Sequence, residues 1–112
     1  MSARLEARLW VVQRATALGL AACVAVHLVT IILAVRGGLD AGEILARTRG
    51  HSGWTAFYAG FVLLAAVHGA IGLRTVAREW LGWRRGAGHA AAAAAVFLAV
   101  LGWRAVAAVV LP

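Results

Sequence analysis

The sequence predicts an all-α protein, a three-helix transmembrane bundle with its N-terminus in the cytoplasm. Three observations lead there. Hydrophobic residues make up 63% of the 112-residue chain and only 13% of residues are charged, with a mean hydropathy of +0.87; a water-soluble domain of this size needs more polar surface than that. Three apolar windows, at about residues 9–35, 54–76 and 90–111, each exceed the ~20 residues a helix needs to cross a bilayer. All eleven cationic side chains are arginine, and they stand at the borders of those windows rather than along one face.

The first window carries Gln13 and Arg14 near its start and is otherwise apolar to Val35. It does not end in a small-residue cleavage site, so it reads as a span and not as a removable leader. The loop that follows, "RGGLDAGEILARTRGHSGW", is long for a helical connector. Gly37 and Gly38 end the first helix, and Asp40 is placed to cap a short helix from Ala41 to Arg47 on the outer surface. The second window contains His68 and the third opens on an alanine run, residues 90–95, of helical composition. With one proline and no Ser/Pro/Gly-rich linker, residues 1–112 form a single anchor domain.

Orientation follows from the arginines of the short flanks. Arg4, Arg8 and Arg14 precede or open the first span, and Arg74, Arg78, Arg84 and Arg85 lie between the second and third. These regions share the cytoplasmic side. The loop after the first span, where Asp40 and Glu43 offset Arg36, Arg47 and Arg49, and the C-terminus face outward. Trp10, Trp54, Trp80 and Trp83 fall near the two interfaces, as an aromatic belt requires. Membrane lipid therefore accounts for the net charge of +7, and nucleic acid is not a partner, because nucleic-acid binding needs its arginines gathered on one face. Cys23, the single cysteine, has no intramolecular disulfide partner and reads as a small buried hydrophobe.

Four histidines occur. His51 and His89 sit at water interfaces. His27 and His68 lie inside spans, where a polar group is costly and functional by default. At about 1.5 Å per residue, His27 is about 12 Å below the outer surface and His68 about 21 Å below it, a difference of roughly 9 Å. Two imidazoles trans on one iron have ring nitrogens only about 4 Å apart. If both bind metal they serve two centres, and each centre takes its second ligand from another chain. The bundle is then half of a larger one.

A haem suits such isolated donors better than zinc, which gathers three or four ligands at one point. The small residues Gly60, Ala65, Gly69, Ala70 and Gly72 leave room for a flat ring, and the same pattern serves close helix packing. No CxxCH is present, which excludes covalent c-type attachment. Arg74, about 9 Å on the cytoplasmic side of His68, suits a haem propionate or a membrane flank equally. Arg104, about 11 Å below the outer surface, is expected to face the bundle and neutralise a propionate of the outer haem.

The stretch "HGAIGLRTVAREW", His68 to Trp80, resembles the H-x-x-x-G-x-R…[DE] signature of the cytochrome b anchor subunits of succinate dehydrogenase and fumarate reductase. His68 matches the haem-ligand histidine, Gly72 the glycine, Arg74 the arginine and Glu79 the acidic residue. The family's H-R-x-S-G segment in the first helix is represented here by "QRATA". Arg14 matches its arginine and is a candidate for quinone or propionate, while Gln13 and Ala17 depart from the histidine and glycine. Trp10 stands where some members place a quinone-contacting serine. His27 resembles the first-helix ligand of the two-haem members.

The resemblance implies a multi-pass subunit of a bacterial-type inner (plasma) membrane. It further implies two b haems, each shared with a second membrane anchor subunit, a nearby quinone, and an iron–sulphur and a flavoprotein subunit. The flavoprotein would carry out the dicarboxylate chemistry, leaving this chain a non-catalytic part of the oxidoreductase. Two alternatives stand beside it. One is a cytochrome b anchor of another quinone-linked oxidoreductase. The other is a cofactor-free membrane scaffold whose histidines only bridge helices.

Overall fold

The computed structural model describes residues 2–112. Four helices follow in chain order among these residues: α1 Ala3–Arg36, α2 Ala41–Thr48, α3 Ser52–Glu79 and α4 Ala87–Val110. Three of them, α1, α3 and α4, are long and apolar enough to cross a membrane. The long axis of the bundle is 50 Å, which matches the roughly 51 Å that the 34 residues of α1 should span.

Each helix starts or stops where its local chemistry allows. Ser2 caps α1, its hydroxyl accepting from the Leu5 amide at 3.2 Å, and the Gly37 amide closes the C-terminus on the Leu33 carbonyl at 3.0 Å. The helix thus begins six residues before the apolar window, which carries Glu6 on rigid backbone rather than on a loose tail. The short helix expected in the outer loop is α2. Asp40 caps it through a 2.8 Å bond from the Gly42 amide, and Glu43 pairs with Arg47 one turn on at 3.5 Å. Gly82 and Gly86, with φ of 63° and 78°, supply the left-handed backbone of the turn between α3 and α4.

The central helix is α3, packed against α4 on one side and α1 on the other. Its buried positions, Ala66, Ala70, Arg74 and Ala77, recur at helical spacing, and on α4 the buried residues are Ala87, Ala91, Val106 and Val110. Small side chains dominate because, without water to expel, helices in lipid associate through close backbone approach. Large apolar side chains such as Leu18, Val96 and Phe97 stay exposed, a perimeter suited to lipid contact. Only Thr16 is buried on α1, so most of that helix's perimeter remains open to such contacts.

The outer end is tied together by backbone groups that a helix end leaves unpaired. Thr48 donates to the Val109 carbonyl at 2.6 Å, the Gly50 amide to Val110 at 2.9 Å, and Arg49 Nε to Leu111 at 3.0 Å. These bonds fasten α2 and its following turn to the C-terminus of α4. Thr48 is buried, so Thr48→Val should leave the Val109 carbonyl short of its partner and cost about 1–3 kcal/mol. Faster amide hydrogen exchange in α2 and in the last turn of α4, with α1 unchanged, is the expected readout.

Candidate functional site

The two intramembrane histidines occupy different ends of the bundle and have different neighbours. His68 is half-buried, and its Nδ1 lies 3.1 Å from Thr16 Oγ1 across the α1–α3 contact. The Thr16 hydroxyl also lies 2.8 Å from the Val12 carbonyl and 3.1 Å from that of Gln13. Gln13 turns inward beside Gly72, where an added Cβ would meet its Nε2 at 3.5 Å. Its Oε1 is buried with no hydrogen-bond partner among the described residues. A residue that looked like a departure from the family pattern therefore stands about one turn from His68, beside Gly72, with an acceptor to offer.

Six residues beyond His68 on α3, Arg74 is only 8% exposed and bonds Glu6 Oε1 at 2.8 Å. Arg78 bonds the same oxygen at 2.9 Å. Glu6 lies in the charged flank ahead of the apolar stretch, and hydrogen bonds from Arg74 and then Arg78 draw its carboxyl from an ordinary 4.5 down to about 2. It stays ionised at physiological pH. Glu6, Arg74, Arg78, Glu79 and Arg84 line a polar hollow of about 500 Å³ at this end. The pairing of Glu6 with Arg74 was missed in the sequence, although one signal was present. Glu6 is the only acidic residue before Asp40, and the expected topology puts it on the same side as Arg74, Arg78, Arg84 and Arg85.

At the outer end, His27 is half-buried in the wall of an apolar cleft of about 550 Å³ between α1, α3 and α4, closed above by α2. Its Nδ1 lies 3.5 Å from the Tyr58 hydroxyl, and its ring meets Tyr58 and Phe61 edge-on at centroid distances of 5.8 and 5.7 Å. Arg47 also lines this cleft. It is the arginine that sequence reasoning passed over for the outer site, because it belongs to a loop helix whose position no hydropathy pattern specifies. Arg104, expected to turn into the bundle, is exposed on this chain. It lies two residues from both Gly102 and Val106, which face α3 and the cleft, and two residues at 3.6 per turn is a rotation of about 200°. Arg14 is exposed too, its guanidinium 5.1 Å from the centroid of the Trp10 ring.

These contacts set the heights of the two histidines directly. His68 is level with Thr16, and His27 with Tyr58. Eleven residues along α1 and ten along α3 separate the two levels, so the imidazoles are roughly 15–17 Å apart along the bundle. The sequence estimate of roughly 9 Å was too small because it counted each helix from a common surface level, whereas the register is fixed by side-chain contacts between α1 and α3. Among the described residues no three His, Cys, Asp or Glu side chains gather at one point; each histidine stands as a solitary donor.

The small residues near His68 divide between roles. Gly69 faces Leu98 of α4, where a Cβ would come within 3.2 Å, while a Cβ at Gly60 would meet nothing within 4 Å. Ala70 is buried and Ala65 lines the outer cleft. His51 and His89 are exposed at opposite ends, as expected of interfacial residues.

A family model described as succinate dehydrogenase/fumarate reductase transmembrane subunit matches residues 1–109. No curated protein and no solved structure matches the chain.

Proposed function

Because the chain belongs to the succinate dehydrogenase/fumarate reductase transmembrane subunit family, we propose that it is a haem b-binding membrane anchor supporting electron transfer between iron–sulphur clusters and quinone. The observation that carries this reading is the placement of His27 and His68 at separate levels, each with Nδ1 directed to a hydroxyl on the neighbouring helix. Metal-bound imidazoles commonly engage their second nitrogen in that way. A solitary histidine suits a macrocycle that brings its own four nitrogens, and the apolar cleft beside His27 suits a flat hydrophobic ring.

In this reading His68 holds the inner haem and His27 the outer one, and the opposing ligands come from a second anchor subunit. Bound haem supplies a one-electron couple whose potential depends on ligand, burial and nearby charge. The chain's own residues provide the rest. Arg74 and Arg78 concentrate positive charge on the cytoplasmic side of His68, partly balanced by Glu6. Arg47, in the lining of the cleft beside His27, joins Arg104 as a cation to meet a propionate of the outer haem. Arg14, exposed beside Trp10, remains the candidate contact for quinone. An iron–sulphur and a flavoprotein subunit dock on the arginine-rich cytoplasmic end.

The test is haem content of the intact complex. Two b haems for each copy of this chain, with a Soret band that shifts on dithionite reduction, are expected. A complex free of haem would point to the scaffold alternative, and co-purification with a different catalytic subunit to another quinone-linked oxidoreductase.

A further inference from the structure

The hydroxyl of Thr16 bears on which nitrogen of His68 is available, an inference that rests on the reading of His68 as a haem ligand. A threonine hydroxyl has one proton to donate and two lone pairs to accept with. Thr16 Oγ1 has three polar neighbours: the Val12 carbonyl at 2.8 Å, the Gln13 carbonyl at 3.1 Å and His68 Nδ1 at 3.1 Å. The two carbonyls can only accept. A hydroxyl on a helix bonds the carbonyl three or four residues back in one of its favoured rotamers, and here that is the shortest contact. Thr16 is 7% exposed, which leaves little room for water to take over either role. With the hydroxyl proton committed to the Val12 carbonyl, the remaining contact requires the imidazole to donate.

We propose that Thr16 is a positioning residue that holds His68 in the tautomer with its proton on Nδ1, presenting the bare lone pair of Nε2 to iron. A neutral imidazole carries one N–H, so the two nitrogens are linked: donation from Nδ1 makes Nε2 the acceptor. The opposite arrangement, with Thr16 donating to Nδ1, leaves the proton on Nε2 and blocks ligation. The bond also fixes the rotation of the ring, since the helix bearing Thr16 packs directly on α3. Donation from Nδ1–H raises the basicity of Nε2, which favours the ferric over the ferrous state and lowers the reduction potential of the inner haem. Thr16 belongs to the segment "QRATA" and acts here through His68.

The experiment compares Thr16→Val, which keeps the shape and removes the hydroxyl, with Thr16→Ser, which keeps the hydroxyl, in the intact membrane complex. Redox titration of the haem bands and the low-spin ferric electron paramagnetic resonance signal are the readouts. Thr16→Val should weaken retention of the inner haem by about 10-fold or more and raise its midpoint potential. A tenfold loss confined to the ferric state corresponds to about 59 mV. Thr16→Ser should return both toward the wild type, and the outer haem should be unchanged in each. An unaltered potential and resonance signal in Thr16→Val, in a complex whose inner haem is lost with His68→Ala, would overturn this proposal alone. Retention of both haems by His68→Ala would overturn the ligand assignment, and the role of Thr16 with it.

Discussion

His68→Ala should remove one haem from the assembled complex and leave the other, and His27→Ala should do the converse. The double variant should hold none. Independence is expected because the imidazoles lie roughly 15–17 Å apart along the bundle, several times the spacing of two nitrogens on one iron. The fold should survive each change. Without His68, the Thr16 hydroxyl keeps its bond to the Val12 carbonyl. Without His27, the Tyr58 hydroxyl loses only a 3.5 Å contact, at the long limit of a hydrogen bond. Haem content per complex should therefore fall by about half in each single variant, and a redox titration with two waves should become one with a single wave. Loss of both haems from either single variant would mean a shared iron or a collapsed bundle. Retention of both would remove the histidines from the ligand set.

Gly102→Ala is expected to damage the packing of α4 on α3. A Cβ at this position would come within 2.6 Å of Val62 Cγ1 and 2.9 Å of Cγ2. Val62 is β-branched and restricted to one favoured rotamer in a helix, so both helices must shift, at a cost of about 1–3 kcal/mol. Gly19 provides the comparison: its Cβ would meet Leu64 Cδ1 at 2.9 Å, the far end of a flexible side chain, and Gly19→Ala should be milder. Combining Gly102→Ala with Val62→Ala should recover most of the loss, since the clash is pairwise. Thermal unfolding of the detergent-solubilised complex measures all four forms. Gly102 and Val62 both line the cleft at His27, so the single variant should also perturb the outer haem before the inner one.

Several elements are legible in the sequence itself. The three spans follow from hydropathy, and each helix overruns its apolar window at one or both ends because caps such as Ser2 and polar flanks continue the hydrogen-bond ladder. The α2 helix was legible in Asp40 and the glycines before it. The shared side of the N-terminus and the loop between α3 and α4 was legible in the arginines, and the bonds from Arg74 and Arg78 to Glu6 join those two regions. The solitary intramembrane histidines were legible because an imidazole in an apolar window is a local anomaly.

The positions of partners across the bundle were not. Thr16 carried no signal as a neighbour of His68, fifty-two residues away. Arg47 joined the lining of the outer cleft only through the seat of α2, and the exposed position of Arg104 follows from the rotation of α4. Span count, topology and the depth class of each polar residue are sums over neighbouring side chains, each term set by its own transfer from water to lipid, so the chain's order alone carries them. Register, rotation and the pairing of Thr16 with His68 depend on how small residues on two helices interlock. That is a property of pairs distant in sequence, and it acquires a value only when the helices meet.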